Sequence, residues 1–341
     1  MKNRAISRSL PFLLAIVLTV GACATARPTP SAPAPLALKL VLLPFLSQSP
    51  FYIALEEGYF AEQGLEVETV PLQVTQDAFS MLAAGQVDVL GGLVTAGNLN
   101  AIARGANLRI VADKGHVAEA GCDAHGVVAR LGLLENGVLK DATALRGMHI
   151  DTDAYTTLGF LTEKVLGTVD LTLDEVETVT LGPPAWLGAL QEGNVDMIAA
   201  GEPWTTRIVQ DGAGQVWLGF KDVAPGYQFA VVLYGPSLLG EEREAGKRFM
   251  VAYLKAVRQY NEGKTERNLN IIMKHLPLER ELLQQACWDP IRSDGDVNVE
   301  SLVEYADWSF DKGLGDSRLT ADQLFDPSFI DYANQVLGPA E

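Results

Sequence analysis

Apolar and polar residues along this chain follow two periods that alternate. Leu65-Glu66-Val67-Glu68-Thr69-Val70 repeats every second residue, the mark of a half-buried strand. The stretches on either side, Phe51 to Glu57 and Asp77 to Ala84, have a helical period. Ser49 can cap the first helix, Pro50 suits its first turn, and Gly58 ends it. Gly85 stops the second helix, at the position that favours a residue without Cβ. Val87 to Leu90 then reads as a short buried strand running into Gly91-Gly92. Leu38 to Leu43 is an earlier strand, and Pro44 to Ser49 is the loop from it into the first helix.

The same order returns later. Val176 to Leu181 reads as a strand, Pro184 to Glu192 as a helix, Gly193 as its stop and Val195 to Ile198 as the next strand. Leu82-Ala-Ala-Gly-Gln-Val-Asp-Val89 matches Leu190-Gln-Glu-Gly-Asn-Val-Asp-Met197 in step. Asp88 and Asp196 lie too far apart for a solenoid repeat, so two similar α/β lobes are expected, one copy in each. The two aspartates are read as structural caps. Ligands of open parallel sheets sit beyond the carboxyl ends of the strands, and two lobes facing each other there would make a clamshell.

Between the copies, Thr95-Ala96-Gly97-Asn98 opens a helix at Leu99–Arg104, and Leu108 to Ala112 is a strand. Lys114 to Asp123 has little periodicity and reads as a loop near the crossing between lobes. Gly126–Ala129 and Met148–Asp151 are strands, and Thr152 to Thr157 leads into a helix at Leu158–Leu166. Pro203 suits the first turn of a helix through Gln210, Val216–Gly219 is a strand, and Phe229–Tyr234 carries the chain back towards lobe one. Beyond Glu241 the period is helical throughout: Glu241–Glu262, Glu266–His275, Glu279–Cys287 and Val299–Lys312 predict a helical layer packed on lobe one and spanning the hinge. The lobe boundaries expected are 38–115 with 236–341, and 116–235.

Composition narrows the function. With 43 acidic against 26 basic residues and a net charge of −17, the chain lacks the clustered cations that nucleic acid requires. Residues 1–22 have a basic start at Lys2, Arg4 and Arg8 and an apolar run from Leu10 to Val20 too short to span a bilayer. Val20-Gly21-Ala22-Cys23 is similar to a bacterial lipobox, in which Cys23 is lipidated and becomes the mature first residue. An ordinary secretory cleavage near Ala22 or Ala24 is the lesser alternative. Residues 23–37 are a Pro- and Ala-rich spacer. Export and a lipid anchor on the outer face of the cell membrane are therefore expected. Cys122 and Cys287 form a disulfide or stay as two buried thiols; sequence separation does not decide between these. No cysteine–histidine cluster has metal spacing, and no cofactor is expected.

GYFAEQGLEVE, then LAAGQVDV, then LGPPAWLGALQEGNVDMIAAGEPW resembles the solute-binding proteins of ABC importers. The subgroup is the one that takes alkanesulfonates, taurine, nitrate, thiamine-type pyrimidines and riboflavin. The resemblance covers roughly residues 38 to 235 well. It implies a two-lobed type II periplasmic-binding-protein fold with a C-terminal helical layer, a small-molecule ligand in the cleft, a membrane permease as partner, and a monomer. It also implies site residues: Ser47, Gln48 and Tyr52 after the first strand, Thr95 and Asn98 after the Val-Asp strand, and in lobe two Tyr155, Thr156, Trp186, Glu202 and Trp204. Tyr227 and His116 join them as residues near the cleft and the crossing. A pyrimidine synthase shares this fold class but carries a Cys-rich iron motif absent here, and no Ser-His or Cys-His pair sits in an elbow. The chain is read as a binding protein and not an enzyme.

The expected cleft segments carry neither Arg nor Lys, and one carries Glu202. Bound anions favour Arg or free helix N–H groups and are repelled by a nearby carboxylate. Flat aromatic faces with scattered hydroxyl and amide groups suit a planar heterocycle instead. The ligand order expected is riboflavin, then a thiamine-type pyrimidine, with alkanesulfonate, taurine or nitrate as the alternative.

Overall fold

The period-two stretches become ten strands in two sheets among the described residues, which in this computed structural model are 35–72, 75–135 and 137–340. The leader, Cys23 and most of the spacer lie outside them. The strands are β1 (Leu36–Leu42), β2 (Leu65–Pro71), β3 (Val89–Leu93), β4 (Arg109–His116), β5 (His125–Arg130), β6 (His149–Asp151), β7 (Glu177–Val179), β8 (Met197–Gly201), β9 (Gly214–Gly219) and β10 (Gln228–Tyr234). The first sheet has the order β2-β1-β3-β10-β4, and the second has β7-β6-β8-β5-β9. In each, four strands run the same way and the fourth in order is antiparallel to both neighbours.

That antiparallel strand is the one that arrives from the other lobe. β5 follows β4 across 117–124, and β10 returns from β9 to pair with β3 and β4. β10 thus carries the chain back to lobe one, as expected of Phe229–Tyr234, so the first sheet resumes at Gln228, ahead of the boundary expected at residue 236. Lys114 is a second correction: expected in a loop, it lies inside β4 and is buried. The loop reading failed because Gly115 and the polar run after it masked the end of a strand whose two sides are both covered.

Asp88 and Asp196 do the same job in their two copies. Asp88 accepts the backbone N–H of Lys39 at 2.8 Å, and Asp196 accepts that of His149 at 3.0 Å. Each therefore fastens the start of its repeat's last strand to the strand beside it.

The helical layer lies on lobe one. Helix Arg243–Tyr260 buries Phe249, Met250, Tyr253 and Val257 against helix Ser49–Glu56 and helix Ser328–Leu337. Phe51 meets Tyr253 with ring centroids 5.0 Å apart, and Phe60 stacks on Phe249 at 4.8 Å. Helix Val299–Asp311 reaches across to lobe two, where the Trp308 indole donates to Glu163 at 2.8 Å. Cys122 in the first crossing is bonded to Cys287 in the layer, their Cα atoms 5.8 Å apart. Of the two alternatives left by the sequence, the disulfide is the one present.

Candidate functional site

The lobes meet along two margins. On one, Thr95 bridges Thr156, the Ala96 N–H donates to Tyr155 O at 2.8 Å, and the Thr157 N–H donates to Val94 O at 3.0 Å. On the other, the Leu46 N–H donates to Glu202 O, and the Trp204 indole N–H to Pro44 O, each at 3.2 Å. Between these margins lies a cavity of about 160 Å³. The parallel strands of both sheets aim their carboxyl ends at it, which is where this topology leaves room for a ligand.

Lobe one contributes Phe45, Ser47, Gly92, Lys114, Phe229 and Asp289 to the lining. Lys114 has 2 % of its surface exposed, and its ammonium donates to Ser47 Oγ at 2.5 Å. Burial pulls its pKa down to about 8, against the opposing pull of Asp289 and Asp113. Gly91 makes room for it: a Cβ there would stand 2.6 Å from the Phe51 ring and 2.9 Å from Lys114 Cδ.

Lobe two contributes carboxylates and rings. Asp151, at the end of β6, accepts the Leu181 N–H at 2.7 Å. Burial pushes its pKa up to about 7, opposed by the Leu181 bond and by the Trp186 indole beside it. Asp153 is shifted upward by the same cause. His125 faces Asp289 through Nε2 at 2.9 Å and lies against the Phe229 ring, centroids 3.9 Å apart. His125 Nδ1 and Asp289 Oδ1 are both buried with no hydrogen-bond partner among the described residues, a cost of roughly 1–3 kcal/mol each that polar ligand groups would relieve. Gly201 admits this ring, since a Cβ there would be 2.8 Å from His125 Cδ2.

A second, larger chamber of about 510 Å³ lies against the first. Leu43 lines both, and the loops 43–45 and 202–204 stand between them.

A sequence model of the NMT1-like family matches residues 31–273. The chain belongs to the NMT1-like family. No curated protein matches this sequence. Among solved structures, the ligand-binding component of an ABC-type import system from Staphylococcus aureus, with zinc bound, has a TM-score of 0.73 at 17% identity, covering 87% of this chain and 99% of its own. The periplasmic nitrate-binding protein NrtA from Synechocystis PCC 6803 gives 0.73 at 16% identity and 91% of each chain. The alkanesulfonate-binding protein SsuA from Xanthomonas axonopodis pv. citri, bound to MOPS, gives 0.68 at 16% identity, covering 87% of this chain and 100% of its own. This NMT1-like chain thus has the periplasmic-binding-protein fold expected of it.

In this NMT1-like structure, Ser47, Trp186 and Glu202 come together on the inner cavity. Glu202 already has partners there: its oxygens accept Thr206 N–H at 3.1 Å, Thr206 Oγ1–H at 2.7 Å and Cys287 N–H at 3.1 Å. Tyr52 and Trp204 line the outer chamber instead. Thr95, Asn98 and Thr156 build the margin: Thr95 caps the helix Ala96–Ala103 and Thr156 caps Thr157–Gly167. Tyr155 reaches that margin only through its carbonyl, and its side chain is 55% exposed. Gln48 is buried and donates to Gly91 O at 2.9 Å. His116 pairs with Asp113 at 2.9 Å beside the crossing, and Tyr227 donates to Ser301 O at 2.7 Å within the core. Neither lines a chamber.

Lys114, His125, Asp151, Asp153 and Asp289 were missed by sequence reasoning, and the expectation of a cleft without Lys is overturned by Lys114. Asp151 had a signal, as the last residue of a strand at a carboxyl end. Asp289 had none, because it comes from the helical layer.

Proposed function

We propose that the chain is the exported substrate-binding component of an ABC import system, anchored through Cys23 and delivering a small molecule to a membrane permease. What supports this is the cavity itself, set between two lobes at the carboxyl ends of their strands, in a fold shared with binding components of such systems. The ligand proposed is a single flat ring bearing amine donors, of the thiamine-pyrimidine type. Phe45, Trp186 and Phe229 supply flat faces, while the carboxylate oxygens of Asp151 and Asp289 supply acceptors. Size favours the pyrimidine over riboflavin: about 160 Å³ is below the roughly 300 Å³ at which drug-sized pockets begin.

Lys114 favours a second reading, an alkanesulfonate, taurine or nitrate. Its charge is already faced by Asp289 and Asp113, and Asp151 and Asp153 would stand close to any bound anion. That reading therefore ranks below the pyrimidine.

Thermal-shift and calorimetric titration with 4-amino-5-hydroxymethyl-2-methylpyrimidine, riboflavin, taurine and nitrate tests the order. The pyrimidine should bind at micromolar or better, on the order of −8 kcal/mol, and raise the melting temperature. Tight binding of nitrate or taurine with no response to the pyrimidine would reverse the order. Cys23→Ala should release the protein from the membrane fraction; retention there would remove the anchor from the proposal.

A further inference from the structure

The outer chamber holds two residues the sequence marked, Tyr52 and Trp204, that the inner cavity does not use. It lies by the ends of β1 and β2, at the edge of the first sheet farthest from β4 and β10, where the chain crosses between lobes. Away from the crossings is where lobes rotating about a hinge separate most. Its walls are flat: Tyr52 stacks on His275 with centroids 4.6 Å apart and planes 5° from parallel, and the Trp204 indole stands beyond them. What parts it from the inner cavity is a thin seam, the cross-lobe pair Leu46 N–H to Glu202 O and Trp204 Nε1–H to Pro44 O. Trp204 also meets Trp186, an inner-cavity residue, edge to face at 6.3 Å.

We propose that the outer chamber is an encounter site for a flat aromatic ring, and that Trp204 closes the seam behind the ring once it has moved into the inner cavity. This rests on the binding reading above. Trp204 is then a positioning residue that governs how fast ligand passes, more than how tightly it is held. On this proposal both bonds of the seam open to let the ring through and re-form behind it.

The test is kinetic and has an arm that needs no ligand. Stopped-flow mixing with 4-amino-5-hydroxymethyl-2-methylpyrimidine should show Trp204→Ala raising association and dissociation rates at least about tenfold each, with the Kd moving less than about threefold. Hydrogen exchange should quicken at least about tenfold at the Leu46 amide, while the Ala96 and Thr157 amides of the other margin keep their rates. Trp204→Phe keeps a ring and drops the N–H, so it should shift the same readouts less, and it decides the matter if Trp204→Ala does not fold. Unchanged rates, or an unchanged Leu46 amide in both variants, would overturn the proposal. Should the wild-type protein bind no pyrimidine, the binding reading fails alone, and the Leu46 amide still decides the role of Trp204.

Discussion

The two lobes are built alike and equipped differently. Their sheets share one strand order with one antiparallel intruder, and Asp88 and Asp196 make the same backbone bond in each. At the carboxyl ends the likeness stops. Lobe one brings a hydroxyl and a buried ammonium, Ser47 and Lys114, whereas lobe two brings Asp151, Asp153 and the Trp186 ring. Lobe one alone carries the helical layer, which lends Asp289 to the cavity and a disulfide to the crossing. A shared scaffold sets where a ligand sits, and the loops beyond it set what kind of ligand that is.

The largest effect should come from the asymmetric tie. Cys122→Ser or Cys287→Ser frees the layer from the crossing and should cost about 2–5 kcal/mol in urea unfolding. A cost near zero would mean that the layer docks on lobe one without help from the bond.

The Lys114 side of the comparison shows in pH. Its folded pKa, about 8, is below the ordinary 10.5, so the unfolded chain holds more protons between these values. Stability from this group therefore rises as pH climbs from about 8 to 10.5, by about 3 kcal/mol. The difference between wild type and Lys114→Met should trace that rise; parallel curves would mean that the ammonium is not buried.

The symmetric element should give symmetric losses. Asp88→Ala and Asp196→Ala each remove a charged acceptor from a backbone N–H, at about 2 kcal/mol apiece. Unfolding midpoints differing widely between the two would break the likeness of the lobes.

The smallest effect is on binding, and it is the most specific to lobe two. Asp151 holds its proton up to about pH 7 when folded, against 3.8 ordinarily, so stability from this group is lost as pH rises through that range. Asp151→Asn should remove that loss and weaken an amine-bearing ring about tenfold, or 1.4 kcal/mol. Binding by the wild type should tighten as pH rises through about 7, because the ionised carboxylate is the better acceptor. A flat titration profile from pH 6 to 8 would take Asp151 out of ligand recognition.

Much of this molecule follows from local order in the chain. The repeat around Asp88 and Asp196, the helix stops at Gly58 and Gly193, and the helical run after Glu241 are all short-range signals, and short-range physics is enough to read them. So is the family, whose marks lie in runs such as GYFAEQGLEVE. Tertiary structure decided the cavity. Lys114, His125 and Asp289 converge from β4, β5 and the helical layer, and Glu202 was claimed by Thr206 and Cys287 once the chain closed on itself. Burial and partnership are properties of that closure: whether a polar side chain faces a ligand depends on which distant groups have already taken its hydrogen bonds.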